Sequence, residues 1–322
     1  MLNDLPDILW PVAVFLLALL WDLALGEPTL HPVAAMGKTV DFLAQKAPRR
    51  GKNWPFLYGL GMALLIPAVF ALAAYGAAQG ALRLHPAVYI LVSAFLLKSC
   101  FSVRGLDRAA TSVAQSLSRH FGTVSPGLEE ARGKLKSMVS RDTTGLTPAL
   151  AASAAVESVA ENTTDSFLGP WLAFALFGLP GAFAYRAINT LDSMIGYRGP
   201  YEYLGKASAR LDDLVNLVPA RLAALFIVAA GYLGGLGHST ARAWRIMWRQ
   251  HSLTSSPNAG WTMSAMAGLL GVKLHKAGHY HLGEGAEPGA SDIIKAVRVM
   301  YGVAAVAAAL TVAVIILRQW TL

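Results

Sequence analysis

Residues 167–193 read FLGPWLAFALFGLPGAFAYRAINTLDS, and this stretch decides the fold. It is apolar over a length that could cross a bilayer, yet Gly178-Leu179-Pro180-Gly181 interrupts it near the middle. A hydrocarbon layer about 30 Å thick needs roughly 20 helical residues at about 1.5 Å each. Each half is too short alone. The expectation is therefore one broken span, or two half-helices that enter and return. Irregular backbone at membrane depth is tolerated where it is buried in protein or lines a cavity. The second half also carries Arg186, Asn189 and Asp192, three residues apart, on an otherwise apolar helix.

Working outward, further apolar runs fall at 8–25, 56–78, 86–100, 214–236 and 297–317. Pro67 lies inside the second of these as an expected kink. Residues 101–166 differ: Arg104, Asp107, Arg108, Arg119, Glu129, Glu130, Arg132, Lys134 and Lys136 make the segment a solvated helical insert. Thr147 can cap a helix that has Pro148 at its first position. The expected fold is all-α: a polytopic integral membrane helical bundle with amphipathic, cytoplasmic helices and a broken or re-entrant pair, forming one membrane-embedded domain over 1–322.

Composition agrees. Of 322 residues, 55% are hydrophobic and 14% are charged, against roughly 25% charged in a soluble domain. The net charge of +8 points to anionic lipid headgroups and positive-inside loops. No arginine-rich arm, RNP-like box or zinc-finger spacing supports nucleic acid as a partner. Lys and Arg concentrate in 26–55, 101–166 and 238–298, which places these segments in the cytoplasm and the acidic N-terminus outside. Residues 1–9 contain Asp4 and Asp7 and no Lys or Arg, unlike the positive start of a signal peptide, so the first run is expected to remain as a helix. The single cysteine, Cys100, sits in an apolar setting and is read as a small buried hydrophobe.

Charges are expensive in such a chain and by default mark a functional site. Three groups stand out between Arg141 and Arg221. Glu157, Glu161 and Asp165 are spaced four apart and share a face if the helix continues. Like charges so arranged ask for a cation, and Mg²⁺ with carboxylate and phosphate oxygens is the natural one. The Arg186, Asn189 and Asp192 stripe can bind phosphate or carboxylate through the guanidinium, or can close on itself as an ion pair. Arg210, Asp212, Asp213, Asn216 and Arg221 form the third group; an interface belt would explain the arginines but not the adjacent aspartates. His275, His279 and His281 have metal-like spacing, but their glycine-rich setting reads as a surface loop. No G-x-x-x-x-G-K-[ST] loop, nucleophile elbow or H-E-x-x-H is present.

Several longer segments, in order, resemble the adenosylcobinamide-phosphate synthase family of cobalamin biosynthesis, the membrane proteins called CbiB or CobD. They are Trp21-Asp22-Leu23 through His31-Pro32-Val33 to Met36-Gly37, residues 140–146 (SRDTTGL), 154–163 (AAVESVAENT), 184–194 (AYRAINTLDSM), 207–213 (ASARLDD), Pro219-Ala220-Arg221-Leu222 and 256–261 (SPNAGW). The resemblance covers about residues 20–285. Glu27-Pro28 stands where the family pattern has Asp-Pro, and the segment after Val272 matches more loosely.

The resemblance implies an ATP-dependent amide ligation with Mg²⁺. Adenosylcobyric acid and (R)-1-amino-2-propanol, or its O-phosphate, would give adenosylcobinamide or its phosphate. A carboxylate and an amine do not condense in water without activation, so phosphate charge must be neutralised and held. On that chemistry Glu157, Glu161 and Asp165 would hold Mg²⁺ and nucleotide phosphate. Arg186, Arg210 and Arg141, beside Asp142, would hold phosphate or the substrate carboxylate. Asp192, Asp212 and Asp213 would supply a second metal position or the base for the amine. Asn162, Asn189, Asn216, Asn258 and His31 would orient the amides that rim the corrin. Expected surroundings are membrane lipids and other late membrane enzymes of the pathway, in the inner (plasma) membrane with the active site on the cytoplasmic side. A CDP-alcohol phosphotransferase is disfavoured because its D-x-x-D-G-x-x-A-R spacing is absent. A transporter or scaffold for corrinoid intermediates is the competing class.

Overall fold

The computed structural model describes residues 9–28, 31–48, 51–119, 126–197, 199–234 and 237–321. The chain is nearly all helical. Its elements are α1 (Leu9–Ala24), α2 (Pro32–Lys46), α3 (Asn53–Leu84), α4 (Pro86–Lys98), α5 (Val103–Ser118), α6 (Pro126–Leu135), α7 (Pro148–Thr163), α8 (Gly169–Ile195), α9 (Lys206–Val215), α10 (Leu217–Leu233), α11 (Gly237–Gln250), α12 (Ala259–Leu270), a hairpin of β1 (Leu274–Lys276) and β2 (Tyr280–Leu282), and α13 (Ala290–Thr321). Among the described residues, four stretches are long and apolar enough to cross a membrane: Asn53–Leu84, Pro86–Ser118, Pro148–Ile195 and Ala290–Arg318. Lys206–Val215 with Leu217–Leu233 makes a bent pair that reaches this length only jointly. Exposed apolar side chains along α3, such as Leu64, Leu65, Val69 and Leu72, are what a lipid-facing helix presents.

The apolar runs at 56–78 and 297–317 fall inside α3 and α13, while α1 is 16 residues long. The run at 86–100 corresponds to α4, which continues after a short break into α5. Charges had marked 101–118 as solvated, but α5 is amphipathic: Val103, Leu106, Ala110, Val113, Ala114 and Leu117 are buried at helical spacing. The glycine- and histidine-rich segment is not an irregular loop. It pairs Leu274 with Leu282, His275 with His281 and Lys276 with Tyr280 in an antiparallel hairpin.

Two compact units share the chain. The first comprises Met1–Ser102, Gly169–Asn216 and Ala308–Leu322; the second comprises Val103–Leu168 and Leu217–Ala307.

In the first unit, Trp171 is fully buried and takes Phe15 and Phe101 edge-on, at 5.3 and 5.4 Å between centroids. This joins α1, α8 and the turn after α4 in one aromatic core. Helix α4 starts at His85, whose Nδ1 accepts from Ala87 N at 3.1 Å, with Pro86 at the first position. Within α8, Gly178 adopts φ 67°, ψ −159°, a conformation essentially restricted to glycine. Pro180 follows without an amide hydrogen. At Gly181 an added Cβ would meet the Ala173 carbonyl at 2.5 Å. The GLPG sequence thus breaks α8 where the interruption stood.

In the second unit, α7 is buried along Ala151–Ala160, and α12 along Ala259–Leu269. Thr147 accepts from Leu150 N at 3.3 Å and Pro148 opens α7, as the cap signal implied. Arg242 of α11 donates to the Gly268 carbonyl of α12 at 2.7 Å. Gly271 ends α12 in the left-handed conformation, φ 68°.

Candidate functional site

The first unit joins two of the three charged groups. Helix α8 brings Arg186, Asn189 and Asp192 to one face; α9 and the residue after it supply Asp212, Asp213 and Asn216. Arg186 donates to Asn189 at 3.4 Å. Asn189 and Asn216 both hydrogen-bond the Asp212 carboxylate, Asn216 at 3.0 Å. Tyr185 donates to Asn216 at 2.6 Å. The result is one polar chain, Arg186–Asn189–Asp212–Asn216–Tyr185, inside apolar surroundings. Gly169 gives the Tyr185 ring its place, since a Cβ there would collide with it. Arg210 lies outside this chain: it is 77% exposed and reaches Asp213 only at 3.8 Å. Asp192 packs over Gly196, where a Cβ would strike its carboxylate.

Two buried polar atoms of the chain, Arg186 Nε and Asp212 Oδ1, make no hydrogen bond among the described residues. A buried donor or acceptor left unpaired costs about 1–3 kcal/mol, and more when charged. A cationic donor and an anionic acceptor left open in one network are able to pair with a molecule that brings both an acceptor and a donor.

The second unit centres on Glu157, 2% exposed in the middle of α7. Arg141 donates to its Oε2. Tyr280 of β2 donates to the same oxygen at 2.8 Å, and Ser153 donates to Oε1 at 2.8 Å. Ser153 also receives the His275 amide at 2.7 Å, which fastens the hairpin to α7. Burial, then the adjacent Glu157 charge, push the Tyr280 phenol up. Arg141 is brought there by the loop 140–146. In this loop Asp142 accepts from Thr144 N at 3.0 Å and from its hydroxyl at 2.9 Å, and those bonds lower its pKa. Arg132 clamps the far end through the Leu146 carbonyl at 2.9 Å. Ser158 of α7 holds the near end through Met138 O at 2.9 Å.

One turn on, Glu161 is exposed and Asp165 half-buried, the latter in a π-helical turn at Thr164–Leu168. Asn162 donates to the Ser158 carbonyl at 2.9 Å and accepts from Ser166 at 3.1 Å. Elsewhere in this unit Arg221 donates to Asn258 at 3.2 Å and lies 4.9 Å over the Trp261 ring. Among the described residues, no three His, Cys, Asp or Glu side chains converge as a metal-holding group. His275 and His281 stack at 3.9 Å between centroids. Burial, with the charges of His275 and Lys273, lowers the pKa of His281.

His31 caps no helix amide with its ring, although it occupies the N-cap of α2. Its Nε2 lies 3.0 Å from Glu27 Oε2. Glu27 in turn lies 3.1 Å from the fully buried Lys98, which also meets the fully buried Asp22 at 3.1 Å. Several members of these networks carried no sequence signal of their own. Tyr185, Tyr280, Ser153 and Lys98 were not singled out, and Asp22 and Glu27 figured only within a matched segment. A lone lysine at the end of an apolar run, beside acids on another run, was the one available cue for Lys98.

These features define a multi-pass helical membrane protein with ionisable networks buried among its apolar helices. Residues 15–300 match the family model described as CobD/Cbib protein. The chain is 46% identical over 277 residues to the cobalamin biosynthesis protein CobD of Dehalococcoides mccartyi, covering 85% of this chain and 87% of that protein. It is 42% identical over 302 residues to the cobalamin biosynthesis protein CobD of Geobacter metallireducens, covering 90% and 92%. With the probable cobalamin biosynthesis protein CobD of Methanothermobacter thermautotrophicus it shares 38% over 276 residues, covering 85% and 87%. No solved structure matches significantly. The chain belongs to the CobD/CbiB family, which serves cobalamin biosynthesis.

Proposed function

We propose that this protein is an ATP-dependent acid–amine ligase that joins adenosylcobyric acid to (R)-1-amino-2-propanol O-phosphate, or to the free amino alcohol, giving adenosylcobinamide phosphate or adenosylcobinamide. The observation that carries the proposal is the half-buried Arg186–Asn189–Asp212–Asn216–Tyr185 chain, whose buried atoms Arg186 Nε and Asp212 Oδ1 are left open. A guanidinium with a free donor suits a carboxylate or phosphate oxygen. An amide-held carboxylate suits a donor such as an ammonium or a corrin carboxamide. Asp212 is caged by two amides, which fits positioning better than proton transfer.

The donor set for magnesium is smaller than the sequence suggested. Glu157 has its carboxylate committed to Arg141, Tyr280 and Ser153. Glu161 and Asp165 are hard oxygen donors that would hold Mg²⁺ together with nucleotide phosphate, since Mg²⁺ commonly takes one or two carboxylates plus phosphate. The ion would supply neutralisation of phosphate charge. Arg141 and Glu157 would keep α7 and the 140–146 loop in register for that task. The membrane would be the cytoplasmic (inner) one, with the site on the side of the basic segments.

The test is purified protein in nanodiscs with adenosylcobyric acid, aminopropanol phosphate, ATP and Mg²⁺, with the corrinoid products separated by chromatography. The expected product is the amide, formed only with nucleotide. Wild-type protein that leaves both substrates unchanged while binding or moving them would favour the transporter class and overturn the ligase reading. Near wild-type turnover in both Arg186→Lys and Asp212→Asn would remove the site assignment.

A further inference from the structure

Amide formation releases a proton from the attacking amine, and a group must accept it. We infer that His31 is that acceptor, oriented by Glu27 and, behind it, by the buried pair Lys98–Asp22; the inference rests on the ligase reading above.

The geometry has three parts. Glu27 is held by three partners: Lys98 Nζ lies 3.1 Å from its Oε2, His31 Nε2 lies 3.0 Å from the same oxygen, and the Ser102 side chain hydrogen-bonds the carboxylate. Lys98 is itself fixed, at 3.1 Å from Asp22 and at 3.1 Å from the Phe101 carbonyl, with no exposed surface. The three formal charges, −1 for Asp22, +1 for Lys98 and −1 for Glu27, leave −1 next to the imidazole. The carboxylate oxygen also fixes the orientation of the ring.

The tautomer follows. An ionised carboxylate only accepts hydrogen bonds, so in neutral His31 the proton sits on Nε2 and points at Glu27. Nδ1 then carries the lone pair. The ring makes no cap bond to α2. The imidazole is 28% exposed, whereas the Lys98–Asp22 pair behind it is sealed. Glu27 is itself 41% exposed, and the His31 ring beside it can meet an incoming molecule while backed by that carboxylate. In the same unit, α2 packs on α8, the helix that carries Arg186, Asn189 and Asp192.

In the step, the amine nitrogen's lone pair forms the N–C bond to the activated carboxyl carbon. The bond from that carbon to its phosphate-bearing oxygen breaks, and its electron pair leaves with the phosphate group that came from ATP. The N–H proton passes to Nδ1 of His31. Glu27 and Lys98 are positioning residues, because they act through His31.

A second nucleophile separates this role from a structural one. Hydroxylamine is largely unprotonated at neutral pH and attacks activated carboxyl groups with little need of a base. With the protein in nanodiscs, His31→Gln is expected to lower aminopropanol phosphate ligation by about 10²-fold or more, the range for general-base catalysis. Hydroxamate formation should fall far less, by a few-fold at most. Glu27→Gln should show the same split at smaller amplitude. Parallel loss of both products in His31→Gln, or loss of neither, overturns the inference while leaving the ligase reading standing. Wild-type protein that forms neither product overturns the ligase reading itself and the inference with it.

Discussion

Tyr280 gives its phenolic hydrogen to Glu157 Oε2 at 2.8 Å, across 123 residues of chain, and Arg141 holds that same oxygen. The contact joins the hairpin to the middle of a helix buried on all sides. It also fixes what each partner is worth. Glu157 is buried and ionised against a cation, so removing its charge strands Arg141.

Glu157→Gln should therefore destabilise the protein by about 3–5 kcal/mol, the scale for breaking a buried pair by removing one partner. Tyr280→Phe removes one hydrogen bond to the carboxylate and should cost less, about 1.5–3 kcal/mol. Thermal unfolding in one detergent, followed by helical circular dichroism, compares the two. Equal, small shifts would show that Glu157 is not the hub of this network.

The break in α8 makes a second prediction. Gly178 has φ 67° and ψ −159°, so Gly178→Ala should cost about 1–3 kcal/mol of backbone strain. Gly181→Ala should also destabilise, because the added Cβ meets the Ala173 carbonyl and Phe177. Substitution of Gly61, where nothing lies within 4 Å of an added Cβ, is the control and should shift the unfolding temperature least.

A third concerns acid. Glu27 has its pKa lowered from an ordinary 4.5 to about 2: burial opposes its ionisation, but hydrogen bonds from His31, Ser102 and Lys98 outweigh burial. The folded state thus holds its proton less tightly than the unfolded chain. The stabilisation is complete above about pH 4.5 and is lost as pH falls towards about 2. Unfolding temperatures of wild type and Glu27→Gln should differ at pH 6 and converge as pH drops through this window. A gap that is constant down to pH 3 would contradict the linkage.

The fourth is chemical. Arg186→Lys keeps the charge but loses the planar fork and the open Nε donor. Ligation should fall at least about 10-fold, by the usual worth of a charged hydrogen bond, with little change in unfolding temperature. Glu161→Gln and Asp165→Asn should instead raise the Mg²⁺ concentration needed for half-maximal rate. Identical Mg²⁺ titrations in all three variants would remove those carboxylates from the metal.

The apolar periods and the GLPG break made the helical, membrane-type fold legible, because hydrophobic length and glycine–proline chemistry act locally. Thr147 and Pro148 announced the start of α7 for the same reason. The α5 segment reads as a solvated helix from its charges, and the apolar stripe at helical period is what makes it amphipathic in the fold. Spacing gave the stripe on α8 and the aspartates on α9, but not their union through Asn189, which depends on packing between helices. Local spacing also suggested that Glu157 shares its ladder's task; its actual partners, Arg141, Ser153 and Tyr280, come from a loop, the same helix and a distant strand. Lys98 illustrates the limit. Its acids lie some seventy residues earlier, and only the packing of α1 against α4 brings them together.

The chain changes unit after Ser102, Leu168, Asn216 and Ala307. The first unit therefore takes in both the earliest helices and residues from Ala308 onward. A ribosome feeding this chain into a bilayer delivers α1 to α4 long before their last packing partners have been synthesised. Those early helices precede residues 308 onward by some two hundred positions, and the Lys98–Asp22 pair, which joins α1 to α4, needs none of the later segments. The first unit is the later of the two to receive all its residues, so a chain stalled near Ala307 should contain the whole second unit and an unfinished first one.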